Sequence, residues 1–221
     1  MICMIYLKIS KKRSKLINFN LEEKITWHFI PPYAPHFGGL WEAAVKSAES
    51  SLYRVTGGAS LRYDELQTQL VQVEAILNSR PLYSLSEDPN DLQPLTPSHF
   101  LIGAPLTFFP EPSLDNSAFS CLSRWQRVEK MRQDFWSRWL KEYLHTLQHR
   151  TKWRKNNTTA NEGQLVILKQ ANTPVLSWPL GRIESINPGN DGIIRAVKIR
   201  TNKGSYSRPV TEICVLPIKE S

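Results

Sequence analysis

The sequence predicts an α+β protein in which helices precede a small domain of β-strands. Apolar residues recur at helical spacing after Gly39 and again between residues 120 and 150. From residue 163 onward, short apolar runs alternate with turns that contain Gly and Asn, a pattern typical of strands. We therefore expect a helical part, a connector and a C-terminal sheet.

Composition is typical of a globular protein. The 221 residues are 41% hydrophobic, which is enough to form packed cores. The three cysteines lie far apart without a Cys-x-x-Cys pair, so we expect neither disulfides nor structural zinc, and a nuclear or cytoplasmic location. No apolar run is long enough to cross a bilayer, and the basic cluster at residues 11–15 argues against a signal peptide. We expect no membrane partner.

The net charge of +8 is unevenly distributed. Residues 118–155 carry 10 basic and 3 acidic side chains, whereas residues 61–117 carry 2 and 8. Because the positive excess is concentrated in one stretch, it favours a polyanionic partner such as nucleic acid over a general role in solubility.

The stretch from residue 25 to residue 46 carries the candidate chemistry. Its alternating apolar residues predict a strand, two prolines end that strand, and a helix follows Gly39. Glu42 lies in the first helical turn and Lys46 one turn later. Such a carboxylate offers an oxygen ligand to a hard cation, with the lysine facing a phosphate. In the ordinary interpretation, Glu42 only complements the helix dipole.

The run from Trp27 to Glu42, WHFIPPYAPHFGGLWE, closely resembles the end of the catalytic core of integrases from BEL/Pao-type LTR retrotransposons. In that family, the glutamate after Gly-Gly-Leu-Trp is the third acidic residue of an Asp, Asp, Glu set that binds Mg²⁺ or Mn²⁺. The resemblance therefore implies that Glu42 is a metal ligand and that Lys46 contacts DNA phosphate. No Asp precedes Asp64, and one glutamate cannot hold two ions about 3.5–4 Å apart. We expect no stable metal binding and no strand joining by this chain alone.

Two helices are predicted within residues 21–80. The first runs from Leu40 to Gly57, and the second is capped by Ser60 and ends near Asn78. The apolar stripe of the second consists of Leu66, Leu70, Val73 and Leu77. The resemblance implies that residues 21–80 are the remnant of a ribonuclease-H-like core, while residues 1–20 have no assignment. Without the rest of that core, we expect other integrase chains or another protein to cover the apolar faces.

Residues 81–117 contain seven of the fifteen prolines and a net negative charge. This composition predicts a partly ordered connector that avoids phosphate. The runs at residues 75–82 (AILNSRPL) and 95–103 (LTPSHFLIG) are also similar to the same retroelement family.

Residues 118–155 are predicted to form a long amphipathic helix. Its polar stripe consists of Arg127, Lys130, Asp134, Arg138, Lys141, His145 and His149, and its apolar side of Trp125, Val128, Phe135, Trp139 and Tyr143. At 1.5 Å per residue, the stripe spans roughly 33 Å, long enough to follow several phosphates. Arg127, Lys130, Arg138 and Lys141 are therefore predicted DNA contacts. The alternatives are a solvated charged face and a metal site at the two histidines, which lack further ligands.

Residues 156–221 are predicted to form a small SH3-like barrel, with strands at residues 165–168, 180–186, 193–200 and 205–208. Lys198, Arg200, Lys203 and Arg208 are candidate phosphate contacts, with ordinary exposed strand charges as the alternative. The runs at residues 178–182 (WPLGR), 208–210 (RPV) and 214–217 (CVLP) resemble the C-terminal domain of BEL/Pao integrases. A methyl-lysine reader is a rival, but Trp178 and Tyr206 are too few aromatics for a cage.

These observations leave three hypotheses. The first is a DNA-binding C-terminal fragment of a retrotransposon integrase, inactive alone. The second is a chromatin or assembly module retained by a host, which acts through the long helix and the barrel. The third is a truncated retroelement copy without function.

Overall fold

The structure is a computed structural model that describes residues 38–57, 59–86, 88–107, 111–148, 160–170, 173–189 and 192–217. The chain divides into two compact units, residues 1–50 and 51–221. The predicted N-terminal strand, residues 1–20, His149 and the basic run at residues 150–155 lie outside the described residues.

The described part is a mixed α+β fold, as predicted. Its helices are α1 (Gly39–Thr56), α2 (Tyr63–Asn78), α3 (Pro97–Ile102) and α4 (Arg124–Leu147). Its strands are β1 (Tyr83–Ser84), β2 (Pro94–Leu95), β3 (Leu165–Leu168), β4 (Leu180–Pro188), β5 (Ile194–Thr201), β6 (Gly204–Pro209) and β7 (Ile213–Val215). None of the described helices is both long and apolar enough to cross a membrane.

Helix limits follow local signals, with one correction. Helix α1 ends at Gly57, whose φ of +54° suits glycine, as predicted. Helix α2 begins at Tyr63, so the prediction of Ser60 as its cap is wrong. Instead, the Glu65 carboxylate, three residues after Arg62, accepts a hydrogen bond from the Arg62 backbone N–H at 2.8 Å. This contact caps the start of the helix. At α4, Ser123 and Gln126 cap each other reciprocally.

Helices α2 and α4 pack in parallel. Glu65 accepts hydrogen bonds from Arg124 at 2.6 Å, and about two turns further along α2, Gln72 donates to Glu129 at 3.2 Å. The contacts thus advance in the same direction along both helices. Because parallel helices need a connection that returns the chain to the same end, the chain between α2 and α4, which we call the return segment, must run back along the pair.

The buried face of α2 differs from the predicted stripe. Leu66 and Leu70 are 40% and 48% exposed, whereas Gln69 and Ile76 are buried. Val73 belongs to both sets. The helix is turned so that Gln69, Val73 and Ile76, spaced by four and three residues, face the core.

The main core forms between α2, α4 and the sheet. Phe135, Trp136 and Trp139 of α4 are at most 6% exposed and share a cluster with Ile76 and Ile167. The predicted apolar side of α4 is thus mostly confirmed. Trp125 is the exception, since it is 62% exposed.

Among the described residues, five antiparallel strands form one sheet in the order β6-β5-β4-β3-β7. A 3₁₀ turn, Val210–Glu212, leads from one edge strand to the other. Gly181 lies where β4 passes closest to β5, because a Cβ there would be 2.4 Å from the Ile199 side chain. A second cluster, which includes Val166, Ile183 and Val197, fills another part of the sheet.

The predicted connector is more structured than its composition indicates. Strands β1 and β2 form a short antiparallel ladder, and α3 follows directly. The Tyr143 hydroxyl donates to the Pro81 carbonyl. Arg182, only 5% exposed, donates to the Ser84 hydroxyl at 3.2 Å and to the Asp91 carbonyl at 2.7 Å. The return segment is therefore hydrogen-bonded to both α4 and the sheet.

Candidate nucleic-acid interface

Glu42 and Lys46 lie on α1, one turn apart, and both side chains are exposed. Among the described residues, no group of three or more His, Cys, Asp or Glu is placed to hold a metal ion. A single exposed carboxylate does not fit the ligand requirement of a two-ion site.

The long helix divides its basic residues between two environments. Arg127 is half-buried, donates to the Leu122 carbonyl at 3.0 Å, and lies 5.5 Å from the centre of the Phe119 ring. Lys130 donates to the carbonyls of Leu114 and Asp115 at 3.0 and 3.3 Å. These cations are thus engaged within the fold.

The second half of α4 presents its basic residues to solvent. Arg138, Lys141 and His145 are exposed and follow one another at spacings of three and four residues. They therefore share one face of the helix. This is the part of the predicted stripe that remains accessible to a phosphate backbone.

The sheet places its predicted contacts on different surfaces. Lys198 and Arg200, two residues apart on β5, lie on one face, whereas Arg208 is paired in register with the buried Val197. Lys203 is exposed in the turn between β5 and β6. Since paired residues share a face, the four cations do not form a single cluster.

Three of these four cations have internal partners. Lys198 lies 3.0 Å from Glu184, and its hydrogen bond lowers the pKa of that carboxyl. Arg208 lies 3.7 Å from Glu212, and Arg200 donates to the Pro89 carbonyl. The exposed pairs at the surface contribute little stability, so they remain exchangeable for phosphate.

A groove of about 800 Å³ lies beside this part of α4. Trp136, Leu140 and Leu144 contribute apolar surface, and Pro174 and Val175 line it from the segment before β4. Its polar lining includes Lys141, His145 and Lys169, together with Glu111 and Asp115. Lys169 was not among the predicted contacts, because it stands alone after β3 in the sequence.

A buried charged cluster was also missed by sequence analysis. Arg132 is 2% exposed and Glu129 is 5% exposed, and their side chains lie 2.6 Å apart. Burial, with a hydrogen bond to Glu111, raises the pKa of Glu129 to about 7. The signal was present in the spacing, since Arg132 lies four residues after Val128 and three before Phe135.

An ion pair also joins the first turns of α2 and α4. The hydrogen bonds from Arg124, aided by the Arg62 backbone, lower the pKa of Glu65 to about 2. The same pair raises the pKa of Arg124. Together with the Gln72 contact, this pair sets the alignment of the two helices.

The fold is thus an α+β unit in which a long helix, basic along its exposed second half, packs on an antiparallel sheet. Residues 123–216 match a family described as "Family of unknown function (DUF5641)". The matched region begins at the cap of α4 and ends one residue after β7. No curated protein and no solved structure matches the chain. The family match therefore covers α4 and the five-stranded sheet together.

Proposed function

We propose that this chain binds DNA as the C-terminal part of a retrotransposon integrase. The observation that carries this proposal is the exposed basic face of Arg138 and Lys141 on α4. Lysine and arginine side chains that remain in solvent are the groups that replace counterions on DNA.

Contacts between separate motifs support the resemblance to BEL/Pao integrases. The Trp178 indole, in the run at residues 178–182, donates to the Ser79 hydroxyl, in the run at residues 75–82. Arg182 of the same run donates to carbonyl groups at residues 86 and 91. Motifs that are distant in sequence thus belong to one packed unit, as expected if they come from one ancestral protein.

The strand order supports the proposal of an SH3-like domain. Four consecutive strands are neighbours in the order β3 to β6, and the fifth returns through a 3₁₀ turn to pair with β3. Such small barrels present hairpins and loops to ligands. Helices α1 and α2 are, in this proposal, the remnant of a ribonuclease-H-like core.

The proposal predicts binding without strand joining. We expect no strand transfer by this chain with Mg²⁺ or Mn²⁺, because Glu42 supplies one of the three carboxylates of the family's site. The measurement is a strand-transfer assay on wild type and Glu42→Gln. Robust activity that Glu42→Gln abolishes would overturn this part of the proposal.

DNA binding is tested by its dependence on salt. We would measure the anisotropy of a labelled 30-base-pair duplex with the full chain over a range of KCl concentrations. Replacing Arg138 and Lys141 by Ala should reduce the slope of log K against log [KCl] by about 1.8, since each phosphate contact contributes roughly 0.9.

The matched control is the double substitution of Arg127 and Lys130 by Ala. Both residues are engaged within the fold, so we expect a smaller change in slope than for Arg138 and Lys141. Absence of binding at low salt, or an unchanged slope for Arg138→Ala with Lys141→Ala, would contradict the proposal.

A protein-binding assembly module is a second candidate, favoured by the groove beside α4. Its apolar lining, in which Pro174 is exposed and Val175 is half-buried, offers contacts that DNA phosphates do not use. Binding to a protein partner that is insensitive to salt and is lost on Ser137→Trp, a substitution in the groove lining, would favour this candidate. Thr146→Trp, at an exposed position on the same helix, is the matched control.

A further inference from the structure

Two carboxylates share one buried guanidinium at the middle of α4. Arg132 forms ion pairs with Glu129, at 2.6 Å, and with Glu111, which comes from the return segment. Arg132 and Glu129 are almost fully buried, and the Glu111 side chain is 33% exposed. Among the described residues, the cluster therefore brings together two acids and one base, of which Glu129 and Arg132 are largely closed to water.

This stoichiometry favours one bound proton. With both carboxylates ionised, the cluster would carry a net negative charge in a poorly solvated site, which is costly. The charged groups that face Glu129 are Arg132 on its own helix and Glu111 on the return segment. From α2, the neutral Gln72 amide donates to Glu129 at 3.2 Å and adds no charge. A proton on Glu129 restores neutrality.

Glu111 begins the segment that we name the strap, residues 111–117. The strap is hydrogen-bonded to α4, since the Leu114 N–H donates to the Gln133 side chain at 2.8 Å and Gln133 donates to the Pro112 carbonyl at 3.0 Å. The Leu114 and Asp115 carbonyls of the strap also accept hydrogen bonds from the Lys130 ammonium. The strap lines the groove through Glu111, Ser113, Asp115 and Asn116.

We propose that Glu111, Arg132 and Glu129 form a proton-controlled latch that holds the strap on α4. With a proton on Glu129, that carboxyl forms a hydrogen bond with the Glu111 carboxylate, and Arg132 binds both side chains. Loss of that proton to water leaves two adjacent negative charges, which weakens the attachment of Glu111. The strap then opens more often, frees the Lys130 ammonium and removes one wall of the groove. The latch is independent of whether the chain binds DNA.

The test is amide hydrogen exchange of Leu114 in the full chain at pH 6 and pH 8, corrected for intrinsic exchange. An acid whose pKa is about 7 in the closed state and ordinary in the open state should reduce the protection of Leu114 about tenfold between these pH values. Glu129→Gln removes the titrating carboxyl and should abolish this change, whereas Glu111→Gln leaves one carboxylate for Arg132 and should reduce it.

Two controls make the outcome decisive. Asp115→Asn removes another strap carboxylate, one that accepts a hydrogen bond from the Ser113 hydroxyl and not from Arg132. This variant should keep the tenfold change in Leu114 protection. The Ile167 amide in β3 reports opening of the core, so its protection should exceed that of Leu114 at both pH values. Equal Leu114 protection at both pH values in wild type would overturn the latch. Equal protection of Leu114 and Ile167, which would mean that Leu114 exchanges only when the whole core opens, or loss of the pH effect in Asp115→Asn, would also overturn it.

Discussion

The Trp178 indole N–H donates to the Ser79 hydroxyl at 3.2 Å, across 99 residues of sequence. The same indole lies edge-on to Trp136, Trp139 and Tyr143, with ring centres 5.0 to 6.0 Å away. Ser79 is buried at the end of α2. A single side chain before β4 therefore joins the end of one helix to the aromatic face of another.

Removal of this side chain should destabilise the protein strongly. Trp178→Ala should lower the free energy of unfolding by about 3 kcal/mol, because it removes three ring contacts and one hydrogen bond. Ser79→Ala should cost about 1 kcal/mol, since it leaves the indole N–H without its acceptor. The measurement is urea denaturation. Trp125→Ala is the control, because that ring is 62% exposed and should matter by less than about 0.5 kcal/mol.

The close approach of β4 and β5 makes a second prediction. In Gly181→Ala, the new Cβ would lie 2.4 Å from the Ile199 side chain and 3.0 Å from the Arg200 carbonyl. Ile199 is fully buried and cannot move aside, so we expect a loss of about 2–3 kcal/mol in denaturation experiments. Gly39→Ala is the matched control, because nothing lies within 4 Å of its new Cβ. Equal stability of the two variants would refute this packing.

The raised pKa of Glu129 makes stability depend on pH. A folded-state pKa of about 7 means that folding favours the protonated acid, so this stabilisation is present below the unfolded pKa and is lost as the pH rises through 7. Between pH 5 and pH 8, the unfolding free energy of wild type should fall by about 2–3 kcal/mol relative to Glu129→Gln.

The measurement is urea denaturation of both proteins at the two pH values. Glu74→Gln, at an exposed position on α2, should follow wild type. If wild type and Glu129→Gln show the same dependence on pH, the carboxyl is not held protonated by its surroundings.

Local features of the fold were predictable from sequence. The end of α1 at Gly57, the limits of β3 and the turn before β6 depend on residues next to one another, so turn chemistry and periodicity predict them. The α+β class and the buried aromatic face of α4 follow from the same patterns.

The candidate site was less predictable, because its cations depend on distant parts of the chain. Lys130 is engaged by strap carbonyls, and Arg200 by the Pro89 carbonyl. Arg132 is buried because Glu111 arrives from the return segment. The parallel arrangement of α2 and α4 has the same origin, since spacing within a helix does not report its direction relative to another helix.

The contact between Ser79 and Trp178 also affects the order of events during synthesis. Ribosomes add roughly 5–20 residues per second, so α2 would emerge about 5–20 s before the indole that covers its end. During that interval Ile76 lacks much of its final surroundings, and the nascent chain exposes an apolar surface to chaperones. Codon substitutions that slow elongation after residue 79 should therefore lower the yield of folded protein.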